Sequence, residues 1–141
     1  MKTIPAFCMT AVFLAACQTV PQPRVTAEFQ SGADKVFVFG QPMGRALFEP
    51  AGNKVHVIVY ADGLNPGQLY GLRVHDAGNC AQGATELPAL RADYMGRGVV
   101  ETDINGVTTD GIVGRSLALH AAPEAGGSPG ARIACAAIAR S

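Results

Sequence analysis

The chain has 141 residues, the size of one domain, and its 11 Lys and Arg residues balance 11 Asp and Glu residues. This balanced charge excludes the basic footprint of a nucleic-acid-binding protein, so no nucleic-acid partner is expected. After the N-terminal segment, no apolar stretch approaches the roughly 20 residues that a membrane-spanning helix needs.

Residues 1–16 have the pattern of a secretory signal peptide. Lys2 is their single cation, and an apolar run from Ala6 to Ala16 follows it. This run of about eleven residues is too short to span a bilayer at roughly 1.5 Å per helical residue. A short basic start, a short apolar stretch and small residues before a break indicate a segment that is removed on export.

The break at Leu14-Ala15-Ala16-Cys17 resembles the lipobox of bacterial lipoproteins. The resemblance implies cleavage before Cys17 and lipid on its thiol, so the expected partner is a membrane. Several acyl chains bury enough CH₂ groups for stable anchoring. Gln18 stands where an Asp would retain a lipoprotein at the inner membrane, which implies the periplasmic side of the outer membrane. An ordinary secretory signal with an incidental cysteine is the alternative.

The mature chain is predicted to consist of a short tether and one β domain. Residues 17–24 hold the lipidated cysteine and a segment with two prolines and no apolar periodicity, which is typical of a tether. Residues 25–141 carry short apolar or alternating runs, separated by turn residues such as those at 50–53, 65–67 and 95–98.

This spacing predicts an all-β sandwich or barrel of about eight strands, with no helix after the signal. The two longest segments without strand signals, 76–88 and 121–130, are the expected places for a functional site. The runs that carry a strand signal, nine in all, occupy residues 25–30, 36–39, 45–49, 55–60, 69–75, 90–93, 99–104, 113–119 and 132–138.

The four cysteines reduce to one pair in the exported domain. Cys8 leaves with the signal and Cys17 carries lipid, so Cys80 and Cys135 remain. Two cysteines in an oxidising compartment are typical of a disulfide, which would stabilise the fold by roughly 4 kcal/mol on a chain-entropy argument. Two free buried thiols are the alternative.

Four segments of the chain resemble the copper/zinc superoxide dismutase family. Residues 63–80 (GLNPGQLYGLRVHDAGNC) are similar to the family's G-L-x-P-G…G-F-H-x-H-x-x-G-x-C strand and loop. Residues 113–121 (VGRSLALHA) resemble G-R-x-x-x-x-H, residues 130–135 (GARIAC) resemble G-x-R-x-A-C-G, and residues 86–90 (ELPAL) resemble G-D-L-P-N-L. The resemblance covers roughly residues 36–139.

The family resemblance implies an eight-stranded Greek-key β-barrel or sandwich in which Cys80 pairs with Cys135. In the family, four histidines hold copper. Here His75 and His120 stand at two of those positions, Arg73 stands at a third, and the remaining position has no candidate. An arginine cannot donate a lone pair, and its fixed charge opposes a nearby Cu²⁺.

Zinc is not expected, because the family's zinc loop is missing between Cys80 and Glu86 and that segment contains no histidine. Glu86 aligns with the family's zinc-binding Asp and is at most one weak ligand. Arg132 matches the arginine that guides superoxide towards copper in the family. Without copper it becomes structural.

Two readings stay open for each of the remaining residues. His75 and His120 are either remnant copper ligands or neutral histidines satisfied by the backbone. Arg73 is expected to form a salt bridge with Asp76 or Glu86 that fills the site, the alternative being an anion site beside Arg132.

Two functions follow from these readings. The first is a superoxide-dismutase-like lipoprotein without dismutase activity and without a cofactor, acting as a binding or envelope-interaction module. The alternative is a copper-binding oxidoreductase that converts superoxide to oxygen and hydrogen peroxide using His75 and His120. Metal content separates the two functions, and the distance between the imidazole rings is the structural measurement that bears on them. Facing nitrogens about 3 to 4 Å apart fit two ligands of one metal, and beyond roughly 7 Å they cannot share one.

Overall fold

The computed structural model describes residues 23–29, 42–126 and 128–141, and these residues form nine strands and one short helix. The predicted signal peptide, Cys17 with most of the tether, and the predicted strand at 36–39 lie outside the described residues. None of the helices described is long and apolar enough to cross a membrane.

The strands form two antiparallel sheets, one of five strands in the order β6-β3-β2-β1-β9 and one of four in the order β5-β4-β7-β8. The all-β prediction is confirmed, although the described residues form two separate sheets and no closed barrel. In chain order the elements are β1 (Val25–Phe29), β2 (Met43–Ala51), β3 (Lys54–Asp62), β4 (Leu69–His75), β5 (Ala84–Arg91), β6 (Gly98–Asn105), α1 (Thr109–Ile112), β7 (Ser116–His120), β8 (Arg132–Ala137) and β9 (Ala139–Arg140).

The core lies between the facing surfaces of the two sheets. On β3, Val55, Val57 and Val59 are fully buried, while the residues between them are partly exposed. On β4, Leu72 and Val74 supply the opposite side of the core. Successive side chains of a strand point to opposite faces, so each strand gives one face to the core. Burying each of these side chains stabilises the fold by roughly 1.5–3 kcal/mol.

Strand β1 is held on both sides within the five-stranded sheet. It pairs with β2 over its whole length, from Val25 opposite Phe48 to Phe29 opposite Gly44. On its other side, the start of β1 pairs with β9. Residues near the tether are therefore fixed to the domain by hydrogen bonds from two strands.

The expectation of no helix was wrong for residues 109–112. Thr108 caps this single turn, because its hydroxyl accepts a hydrogen bond from the backbone N–H of Gly111 at 3.1 Å. Ile112 at its end is fully buried. Four residues are too few to show the helical periodicity that sequence analysis depends on.

Strand β5 was also predicted incorrectly, since it begins at Ala84 rather than at residue 90 and ends at Arg91. Pro88 lies within it, at an irregularity in the pairing with β4. Because β5 is at the edge of its sheet, a residue without an N–H is tolerated there. The expected structure-poor segment after His75 is correspondingly shorter than predicted.

The expected pairing of Cys80 with Cys135 is present in the structure, with their Cα atoms 6.1 Å apart. The disulfide joins the loop after β4 to β8. Cys80 has a φ of 55°, in the left-handed region. Its backbone N–H donates to the hydroxyl of Ser116 at 2.9 Å, which holds the same loop against β7.

Replacing both Cys80 and Cys135 with Ser should lower the free energy of unfolding by about 2–5 kcal/mol, because the unfolded chain loses a constraint over a long loop. Chemical denaturation followed by circular dichroism measures the change. Wild-type protein treated with a reductant is the control and should lose a similar amount. Equal stability of the oxidised wild type and the double variant would contradict this prediction.

A charged cluster surrounds His56 on the outer face of the five-stranded sheet. Its Nδ1 lies 2.7 Å from a carboxylate oxygen of Asp103 and its Nε2 lies 2.9 Å from Glu101. Lys54 also contacts Asp103, at 2.5 Å. The hydrogen bond with Asp103, followed by that with Glu101, raises the pKa of His56 above its ordinary value of 6.5. Lys54 and His56 lower the pKa of Asp103.

The raised pKa of His56 means that the folded protein binds the proton more tightly than the unfolded chain. The resulting stabilisation is fully present below pH 6.5 and is lost as the pH rises through the pKa of the folded state. The melting temperature of the wild type should therefore fall between about pH 6 and pH 8. We expect a smaller fall over the same range for His56→Gln, which lacks this proton-binding group. Thermal unfolding across this pH range measures it, and identical pH profiles for the two proteins would contradict it.

Candidate functional site

The residues that match the family's ligand positions lie on the outer face of the four-stranded sheet. Gly71, Arg73 and His75 alternate with the core residues of β4 and so share this face. His120 lies opposite Gly71 in the pairing of β4 with β7, which brings it to the same face. The loops after β4 and β7 cover the site, so that His75 and His120 are only 8% and 6% exposed.

The two imidazole rings face each other, with centroids 6.4 Å apart and planes inclined by 29°. Nδ1 of His120 lies 2.8 Å from the backbone carbonyl of Gly130. A carbonyl only accepts, so Nδ1 carries a proton, and in a neutral ring Nε2 is then the nitrogen that has the lone pair. Nε2 of His120 and both ring nitrogens of His75 are buried without a hydrogen-bond partner.

The surroundings of His75 favour its neutral form. Burial is the main cause that lowers its pKa, and His120, Arg73 and Arg132 lower it further through their charges. The carbonyl of Gln82 acts in the opposite direction, although neither ring nitrogen reaches a partner in hydrogen-bonding geometry. The ring therefore lies in an electropositive environment.

The donor set does not fit the copper/zinc centre of the resembling family. A metal about 2.0 Å from one nitrogen of each ring lies about 3.1 Å from each centroid. Centroids 6.4 Å apart thus leave room for one ion only with the two nitrogens on opposite sides of it, so the mismatch with a four-imidazole copper centre lies in the number of donors. Within the described parts of the chain, no group of three or more His, Cys, Asp or Glu side chains could hold a metal.

Arg73 pairs with Glu124, not with Asp76 or Glu86 as expected. Its Nη2 lies 2.6 Å from Oε2 of Glu124, and the two side chains are 20% and 27% exposed. Asp76 instead contacts Arg115 at 3.4 Å. Glu86 lies opposite Arg73 in the strand pairing and accepts a hydrogen bond from the backbone N–H of Glu124 at 3.4 Å. The expectation failed because the segment after β7 folds back over β4.

Arg132 stabilises the loop that carries the disulfide. Its Nη1 donates to the backbone carbonyl of Cys80 at 2.6 Å. This contact occupies one end of the guanidinium, and the charge still acts on His75. Arg132 is otherwise exposed on β8, so its contact with the structure is with the loop that carries the disulfide.

The segment after β7 lies so close to β4 that Gly71 has no room for a side chain. A Cβ at this position would lie 2.7 Å from the carbonyl oxygen of Ala122 and 3.2 Å from Cα of Pro123. The side-chain amide of Gln68 donates to the carbonyl of Ala121 at 2.8 Å, which holds the start of the segment. Close backbone packing therefore places Glu124 within reach of Arg73.

Gly71→Ala should destabilise the protein by about 1–3 kcal/mol, because the new methyl group must displace the backbone of the covering segment. Gly111→Ala is a matched control, since a Cβ there meets no atom closer than 3.4 Å. Chemical denaturation of both variants measures the difference. A loss no greater than that of Gly111→Ala would contradict the close packing.

The chain also has a separate surface groove that sequence analysis did not identify. This groove has a volume of about 830 Å³ and includes Phe29, Met43, Tyr60 and Val99 together with three arginines. Tyr60 and Val99 are opposite each other on β3 and β6 and are both exposed. Phe29 adjoins the segment 30–41, which lies outside the described residues.

In comparisons with known proteins, no family model matches the chain and no curated protein matches it.

Proposed function

We propose that the protein is a superoxide-dismutase-like lipoprotein that does not dismutate superoxide and acts as a binding or envelope-interaction module. The observation that carries the proposal is the ion pair between Arg73 and Glu124. It places a permanent cation and its partner at a position where the family has a copper ligand. His75 and His120 then supply at most two of the four imidazoles that the family uses for copper.

The family assignment is part of the same proposal. The four resembling segments support it, as do the two antiparallel sheets and the pairing of Cys80 with Cys135. We further propose that the strands are connected as a Greek key and close into a barrel, as in that family. The described residues themselves form two separate sheets.

The module is proposed to be exported and anchored by lipid on Cys17, at the periplasmic side of the outer membrane. The support is the signal pattern at residues 1–16 and the residues that precede Cys17. Seven residues separate Cys17 from the start of β1 at Val25. Fully extended, they reach about 25 Å, so the domain would lie close to the membrane surface.

Copper binding by His75 and His120 is the second candidate function. It is favoured by the buried, unpartnered Nε2 of His120. The proton on Nδ1 and its contact with Gly130 match the way metal-binding histidines are commonly oriented. Copper bound there would supply redox chemistry for superoxide dismutation, and zinc is not part of either proposal.

Metal analysis and a dismutase assay on the purified full chain, after incubation with copper and zinc, separate the two functions. We expect less than one tenth of an equivalent of copper or zinc and no activity above a buffer control. His75→Ala combined with His120→Ala is the matched control and should behave like the wild type. Near-stoichiometric copper, with dismutation that is lost in His120→Ala, would contradict the main proposal and support the second.

A further inference from the structure

We propose that the Arg73–Glu124 ion pair is a lock that keeps divalent cations away from His75 and His120 and holds the covering segment, residues 121–126, against β4. On this proposal, the site does not fit a metal centre because two residues of the chain, Arg73 and Glu124, form an ion pair there. This inference rests on the proposed absence of dismutase activity at the same site.

The lock connects three parts of the fold. Arg73 belongs to β4, Glu124 belongs to the covering segment, and Glu86 of β5 accepts the backbone N–H of Glu124. The side chains of Arg73 and Glu124 are both about three-quarters buried or more. An ion pair shielded to this degree is less weakened by water and salt than a surface pair.

The contacts of the covering segment point to the same role. Its backbone passes over Gly71, and its first residue, Ala121, accepts the hydrogen bond of Gln68. Glu124 then supplies the charged contact on the other side of the segment. The segment is therefore fixed on both sides of the stretch that passes over Gly71 of β4.

The lock opposes a cation in two ways. Arg73 lies two residues from His75 on the same face of β4, and a +1 charge about 6 Å from a divalent ion weakens its binding about tenfold even in a water-like dielectric. Arg73 also pairs with the carboxylate of Glu124, so this carboxylate offers no unpaired negative charge that would attract a cation. Arg132 adds a second positive charge that acts on His75.

The test compares the affinity for Cu²⁺ of the full-length wild type, Arg73→Gln and Arg115→Gln by competition with a chelator. Arg115→Gln is the matched control, because it removes the same charge and breaks another arginine–carboxylate contact outside the site. Arg73→Gln should bind Cu²⁺ at least tenfold more tightly than the other two proteins. An affinity no higher than that of Arg115→Gln would overturn the lock as a barrier to cations.

Glu124→Gln separates the two parts of the lock, because it releases the covering segment but leaves the cation of Arg73 in place. It should show no gain in affinity for Cu²⁺ and at least tenfold faster hydrogen exchange of the backbone amides at 121–126. Unchanged exchange would overturn the holding role. This measurement also tests the lock if circular dichroism shows that Arg73→Gln is unfolded.

The failures of the two proposals are distinguishable. Stoichiometric copper and dismutase activity in the wild type would reject the proposed function together with the lock. A metal-free wild type whose affinity for Cu²⁺ does not rise in a folded Arg73→Gln would reject the barrier alone.

Discussion

The alternation of side chains along β4 is the constraint on which the site depends. Leu72 and Val74 face the core, and each is at most 2% exposed. Because successive residues point to opposite faces, Arg73 and His75 are placed together on the outer face. The core therefore determines which residues can meet at the site, and shifting the pairing by one residue would reverse both faces.

Polar groups on an outer face become buried only when loops cover them. The disulfide from Cys80 fixes the loop after β4, and the close approach to Gly71 fixes the segment after β7. Together they remove His75 and His120 from water while leaving three ring nitrogens without partners. Unpartnered buried polar groups are unfavourable, and the ion pair of Arg73 with Glu124 is part of the structure that keeps this arrangement closed.

The sequence predicts the parts of this structure that depend on local patterns. Alternating runs identify most strands, and the count of cysteines leads to the pair that the structure joins. Helix α1 has only four residues, too few to show a helical period of apolar residues. The early part of β5 contains Pro88, which argues against a strand unless the strand lies at an edge, and no local pattern shows that β5 is an edge strand. Glu124 was visible as the single charge of its loop, but its contact with Arg73 spans 51 residues and depends on how two loops pack.

The position of β1 between β2 and β9 would have a mechanical consequence on the proposal that the protein is anchored through Cys17, which precedes β1. A pull directed along β1 would load the hydrogen bonds on both of its sides in shear. In this shear geometry the five residue pairs between β1 and β2 share the load at the same time, whereas a strand peeled from one end breaks its hydrogen bonds in turn. The proposed anchor would therefore act on a strand that is paired on both sides and not on a free edge of the sheet.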